Sequence, residues 1–100
     1  MAIARNPKRK GVPVHPGEIL QEEFLRPLGV SQAALARHLR ISVVRINEII
    51  NGKRGVSAET AWLFAEAFGT SPQLWVNLQA NYDLTTGRPS RHVQKIKRAS

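Results

Sequence analysis

The chain has 100 residues, 42% hydrophobic and 22% charged, with no cysteine. That is enough for one domain with a compact core, and it excludes a disulfide scaffold or a thiolate metal site. Lys and Arg number 15 against 7 Asp and Glu, a net charge of +8 that points to a polyanionic partner, nucleic acid ahead of membrane.

In chain order, residues 1–13 contain Pro7, Gly11 and Pro13, show no period, and are read as a flexible basic arm. A first helix is predicted from His15-Pro16-Gly17-Glu18, because proline at the first helical position lacks only an N–H that would be orphaned anyway. Glu18 in its first turn suits the helix dipole. Ile19, Leu20, Phe24 and Leu25 form its apolar face, and Pro27 with Gly29 is expected to end it. A second helix starts at the cap residue Ser31 and runs from Gln32 to about Leu39, with Leu35, Ala36 and Leu39 inward. Arg40 to Ser42 make a short link. Ser42 then caps a third helix, Val43 to Asn51, with Ile46, Ile49 and Ile50 inward and Gly52 in the left-handed position past its end.

Lys53 to Val56 form a loop, and Ser57 opens a fourth helix whose Ala61, Phe64, Ala65 and Phe68 share a face up to Gly69. Ser71-Pro72 opens a fifth, lined by Leu74, Trp75, Leu78 and Tyr82. Past Gly87-Arg88-Pro89 nothing periodic remains. The prediction is an all-α domain of five helices over residues 14–84, with no strand or internal repeat, followed by a basic C-terminal tail at 85–100. Charge follows this division: residues 1–11 and 83–100 carry +4 each, residues 12–30 and 56–82 carry −2 each, and residues 31–55 carry +4. Basic ends are commonly just solvated. The central +4 lies inside the folded body, where its charges share a fixed surface. No apolar run approaches the roughly 18 residues of a membrane span. The basic start MAIARNPKRKG lacks a following apolar stretch, so a soluble, cytoplasmic protein without a signal peptide is expected.

The sharpest feature is SQAALARHLRISVVRINEIING, Ser31 to Gly52. Two short helices joined by three residues must cross steeply, and Ala36 permits the close approach this needs. With Ile46, Ile49 and Ile50 inward, Val43, Val44, Arg45, Asn47, Glu48 and Asn51 face out. Guanidinium, amide, carboxylate and methyl groups together are the inventory that reads base edges. This is a helix-turn-helix.

The stretch resembles the phage-repressor-like (Xre) class in Gln32, Leu35-Ala36, Ser42, Ile46 and Gly52. It departs from that class at Arg40, where a turn glycine is usual. A left-handed arginine costs about a kcal/mol relative to glycine, so either the turn relaxes or Arg40 is aimed at phosphate. The resemblance extends further. His15-Pro16-Gly17-Glu18-Ile19-Leu20, Asn51-Gly52-Lys53-Arg54-Gly55, Phe68-Gly69-Thr70-Ser71-Pro72 and the run from Trp75 to Leu84, WVNLQANYDL, are similar to the HigA (VapI-like) antitoxins over residues 14–84. That resemblance implies a homodimeric repressor of its own operon, which also binds and neutralises a HigB toxin, a RelE-like mRNA endonuclease. The alternative is a free-standing Xre-type repressor without a toxin. A third reading, from another class, is an RNA-binding or adaptor protein that uses the basic ends.

Base readout is assigned to Val43, Val44, Arg45, Asn47 and Glu48. A solvated helix face would also carry such residues, but two adjacent exposed valines add nothing to helix propensity, and their methyls can pack on thymine. Arg45 can pair with guanine or with phosphate, and Glu48 can accept from cytosine or orient Arg45. Phosphate contacts are assigned to Ser31, Gln32, Arg40, Ser42, Asn51, Lys53 and Arg54, where helix ends and cations fix register on a duplex. Adjacent Trp62 and Leu63 cannot both enter one core. With Trp75, Leu78 and Tyr82 they are assigned to a dimer interface, the competing reading being a larger core. Glu18, Glu22 and Glu23 make an acidic face suited to a basic toxin. His15, His38 and His92 are scattered with no HExxH and no GxxxxGK loop, so no metal, cofactor or enzymatic activity is expected. His15 is expected to precede the first helix with its ring satisfied by backbone.

Overall fold

The computed structural model describes residues 13–99. The predicted arm therefore lies outside the described residues apart from Pro13, as does Ser100 of the tail. Helix α1 starts where expected. His15 Nδ1 accepts from the Gly17 backbone N–H at 2.9 Å, and Pro16 follows as the first helical residue. The helix is α-helical over Pro16–Ile19, π-helical over Leu20–Leu25, and α-helical again over Arg26–Leu28. The run ends at Leu28, as Pro27 and Gly29 lead one to expect, with Pro27 itself inside the last helical residues. In a regular turn the proline ring clashes with the carbonyl four residues back. Here the turn before Pro27 is wider, with the Arg26 N–H bonded to the Gln21 carbonyl, and the proline is absorbed. Gly29, at φ 67°, ends the run.

Helices α2 (Gln32–Leu39) and α3 (Val43–Ile50) follow, then α4 (Ala58–Phe68) and α5 (Pro72–Thr86). Each is opened by the serine read as its cap: Ser31, Ser42, Ser57 and Ser71 accept from the backbone N–H three residues on, at 3.0, 3.1, 3.2 and 3.2 Å. Helix α3 closes in a Schellman turn. Gly52, at φ 74°, donates to the Ile49 carbonyl at 3.1 Å, and Lys53 donates to Glu48 at 2.8 Å. Among the described residues there is no strand, and residues 87–99 are exposed without regular structure. No described helix is long and apolar enough to cross a membrane.

The core draws on all five helices: Leu20, Phe24 and Leu25 from α1, Leu35 and Ala36 from α2, Ile46 and Ile49 from α3, Ala61 and Phe64 from α4, and Trp75 from α5. Removing each large apolar side chain from water contributes about 1.5–3 kcal/mol. One contact fixes the third helix from below. A Cβ on Gly17 would lie 1.9 Å from the Ile49 carbonyl oxygen, so the first turn of α1 crosses the backbone of α3's last turn where only glycine fits. The HPGE segment thus holds the last turn of α3.

Candidate nucleic-acid interface

Helix α3 turns Ile46 and Ile49 fully inward, and a period of 3.6 residues then brings Val43, Val44, Asn47 and Asn51 to the outside. Val43 is 45% and Val44 62% exposed, so two methyl-bearing side chains lie open at the helix start. Beside them runs a ladder of amides. Asn51 Nδ2 donates to Asn47 Oδ1 at 3.0 Å, and Asn47 Nδ2 donates to Gln32 Oε1 at 3.1 Å. The ladder joins α3 to the first residue of α2 and holds three side chains in one register. Within the ladder the Gln32 amide N–H groups and the Asn51 side-chain oxygen take no part, one at each end.

Two residues predicted to face outward are taken up by neighbours within the protein. The Arg45 side chain is only 25% exposed; its guanidinium donates to Thr60 Oγ1 and lies 3.5 Å from Glu59 Oε1. Arg45 therefore ties α3 to the first turn of α4. Its long side chain reaches a neighbour that the helical pattern does not reveal. Glu48 does not orient Arg45. It accepts from Arg54 Nε and Nη2, both at 3.0 Å, and its carbonyl receives the Lys53 and Arg54 backbone N–H groups. The carboxylate is thereby engaged in folding the loop back over the end of α3. Lys53 beside it is exposed.

Arg40 takes the left-handed conformation, φ 60° and ψ 43°, and is the one non-glycine residue with positive φ among those described. The turn does not relax. Its N–H bonds to Arg37 and that of Ile41 to Ala36, a Schellman closure like that of α3, with the Arg40 side chain exposed. The cap residues Ser31 and Ser42 are exposed at the starts of α2 and α3, with Gln32 half-buried beside Ser31.

The five apolar candidates do not form one surface. Trp75 is entirely buried in the protomer, its ring 4.9 Å from Phe64 and 5.3 Å from Phe24, and its Nε1 donates to Thr70 Oγ1 at 2.9 Å. Its assignment to an interface is corrected: it fills the gap between α1, α4 and α5. Leu78 packs against the core. Half-buried Tyr82 sits edge-on to His15, centroids 4.8 Å apart. Leu63 is half-buried, and Trp62 alone of the five stands mostly free, at 59% exposure. The acids of α1 are also dispersed. Glu22 is exposed and pairs with Arg26 at 3.1 Å, while Glu18 and Glu23 are half-buried.

His15 is satisfied as expected, and more is built around it than its cap role required. The ring is buried between the α1 start, Tyr82 and Gly52, and desolvation holds its pKa below the usual 6.5 against the opposing pull of Glu18 and Asp83. Sequence reasoning missed Thr60 as the partner of Arg45 and Gln79 as the partner of the Val56 N–H. Neither has a signal in periodicity, since both act through tertiary neighbours.

The Helix-turn-helix family matches this chain over residues 21–75. The virulence-associated protein I of Dichelobacter nodosus is 51% identical over 71 residues, covering 71% of this chain and 66% of its own length, so the chain spans about two thirds of that relative. Antitoxin HigA-1 of Vibrio cholerae is 37% identical over 91 residues, covering 90% of this chain and 84% of that protein. Among solved structures, the Pseudomonas aeruginosa antitoxin HigA with its higBA promoter superposes with a TM-score of 0.74 at 48% identity, covering 75% of this chain and 82% of that one. The chain belongs to the helix-turn-helix family, in its HigA (VapI-like) antitoxin branch.

Proposed function

We propose that this protein is a sequence-specific DNA-binding autorepressor and the antitoxin of a toxin–antitoxin pair. As a homodimer it would bind a palindromic operator, with two copies of α3 entering successive major grooves about 34 Å apart. The observation that carries the reading is the open face of α3, where Val43, Val44 and the Gln32–Asn47–Asn51 ladder stand outward on a helix held at both ends. Valine methyls suit thymine, and an amide suits adenine. Around this face, Ser31, Ser42, Arg40 and Lys53 would contact phosphate, with Gln32 and Asn51 at the ladder's ends and Arg54 braced by Glu48. A HigA relative solved with promoter DNA supports DNA as the partner.

Trp62, with Leu63 beside it, is the surface we assign to the second protomer, because a tryptophan this open leaves a large apolar area in water unless covered. The acidic α1, through Glu22 with Glu18 and Glu23, would face a basic RelE-like toxin. The test is co-purification with the product of the adjacent gene, together with binding to duplex DNA from upstream of its own gene. Capture of a small basic protein and specific duplex binding are expected. Duplex binding without capture would instead make the chain a free-standing Xre-type repressor, and failure of both would end the proposal.

A further inference from the structure

Helix α5 reaches the loop that follows α3 through the side chain of Gln79. Its Oε1 accepts from the Val56 backbone N–H at 2.7 Å, and its Nε2 donates to Asp83 Oδ1 at 2.9 Å one turn further along α5. Val56 is buried, so its N–H depends on this protein partner. The amide fits in one orientation only. The N–H of Val56 requires an acceptor and the Asp83 carboxylate requires a donor, so Asp83 dictates that the amide oxygen faces the loop. Gly55 completes the fit: a Cβ there would lie 3.0 Å from the Gln79 amide carbon and oxygen. Immediately before it stand Lys53 and Arg54. The start of this loop is closed onto Glu48 and its end is held by Gln79, so the two cations are suspended between two fixed points.

We propose that Gln79, oriented by Asp83, is a positioning residue for DNA binding that sets where Lys53 and Arg54 meet the phosphate backbone. The inference rests on reading those two cations as phosphate contacts. It predicts an effect on affinity from a residue that itself touches no DNA.

The test is fluorescence anisotropy on a random-sequence duplex across a range of salt, at a temperature where circular dichroism shows every variant folded. Lys53→Ala is the reference for removing one cation from a phosphate, with a salt slope shallower by about 0.9. Gln79→Ala should weaken binding by about three- to tenfold and flatten the slope in the same sense. Gln79→Glu sets two carboxylates against each other and should weaken binding at least as much. Gln79→Glu combined with Asp83→Asn restores an acceptor for Val56, a donor for residue 79 and the original net charge. That pair should recover affinity to within about twofold, a rescue that general destabilisation would not show. If Gln79→Ala fails to fold, Gly55→Ala, which displaces the amide without removing it, carries the same expectation. Wild-type affinity and slope in Gln79→Ala, or no rescue by the double variant, overturns the proposal. A Lys53→Ala variant that binds like wild type removes the phosphate reading itself, and the proposal with it.

Discussion

Replacing Arg40 by glycine should make this protein more stable and a weaker DNA binder. The turn between α2 and α3 holds Arg40 at φ 60° and ψ 43°, a conformation that costs an L-residue about 1–2 kcal/mol. Glycine removes that strain but gives up more backbone freedom on folding, about 0.5–1 kcal/mol. The bonds that close the turn, from the backbone N–H groups of residues 40 and 41 to Arg37 and Ala36, do not involve the side chain. The net gain is therefore about 0.5–1 kcal/mol, which for a domain of this size raises the melting temperature by roughly 2–8 °C. Thermal denaturation followed by circular dichroism measures it. Arg40→Ala is the control, since it removes the guanidinium and keeps the strained backbone, and it should show no such gain. Both variants should bind duplex DNA with a salt slope shallower by about 0.9, the change expected when one cation no longer neutralises a phosphate. A glycine variant that melts at or below wild type would refute the strain argument. Unchanged slopes in both variants would remove Arg40 from the DNA-binding surface.

Three further outcomes follow from the geometry. His15 is held neutral in the fold with its pKa below 6.5, so the unfolded chain binds more protons between the two pKa values. Stability should therefore fall as pH drops through about 6.5 and level off below the folded pKa; His15→Asn, which can still cap α1, should lose that part of the pH dependence in denaturant titrations. Arg45→Ala gives up its bond to Thr60, while the exposed pair with Glu59 counts for little, so it should cost about 1 kcal/mol of stability. Its preference for operator over random duplex should change less than about threefold, and a larger collapse would mean that Arg45 leaves Thr60 to read a base. Trp62→Glu should convert a dimer to a monomer by light scattering at micromolar concentration; a monomeric wild type, or a variant that stays dimeric, would remove Trp62 from the interface.

Local chemistry made much of this molecule legible in its sequence. The four serine caps and the glycines at 29, 52 and 69 act within a few residues of themselves, so their roles can be read without tertiary context. The apolar stripes of α1 to α4 behaved likewise, because one helical face must enter the core whatever lies opposite. What escaped depends on neighbours far along the chain. Arg45 lies at the edge of the α3 face, where a long side chain chooses between solvent and a hydroxyl fifteen residues away on α4. Trp75 reads as surplus apolar area until Phe24, Phe64 and Phe68 are seen around it. The widened turn that seats Pro27 one residue before the helix ends has no signal in the sequence pattern. At the candidate site the outward valines of α3 were legible in the sequence, while the amide ladder and the pairing of Glu48 with Arg54 emerged from the packing.

The most direct measurement compares duplex DNA from upstream of this gene with a shuffled duplex, titrated with wild type and with Asn47→Ala combined with Val44→Ala. If the open face of α3 reads bases, wild type should prefer its own upstream sequence by about a thousandfold or more, and the variant should lose most of that preference while keeping its affinity for shuffled DNA. Equal wild-type affinity for both duplexes, or a variant with undiminished preference, would contradict the account.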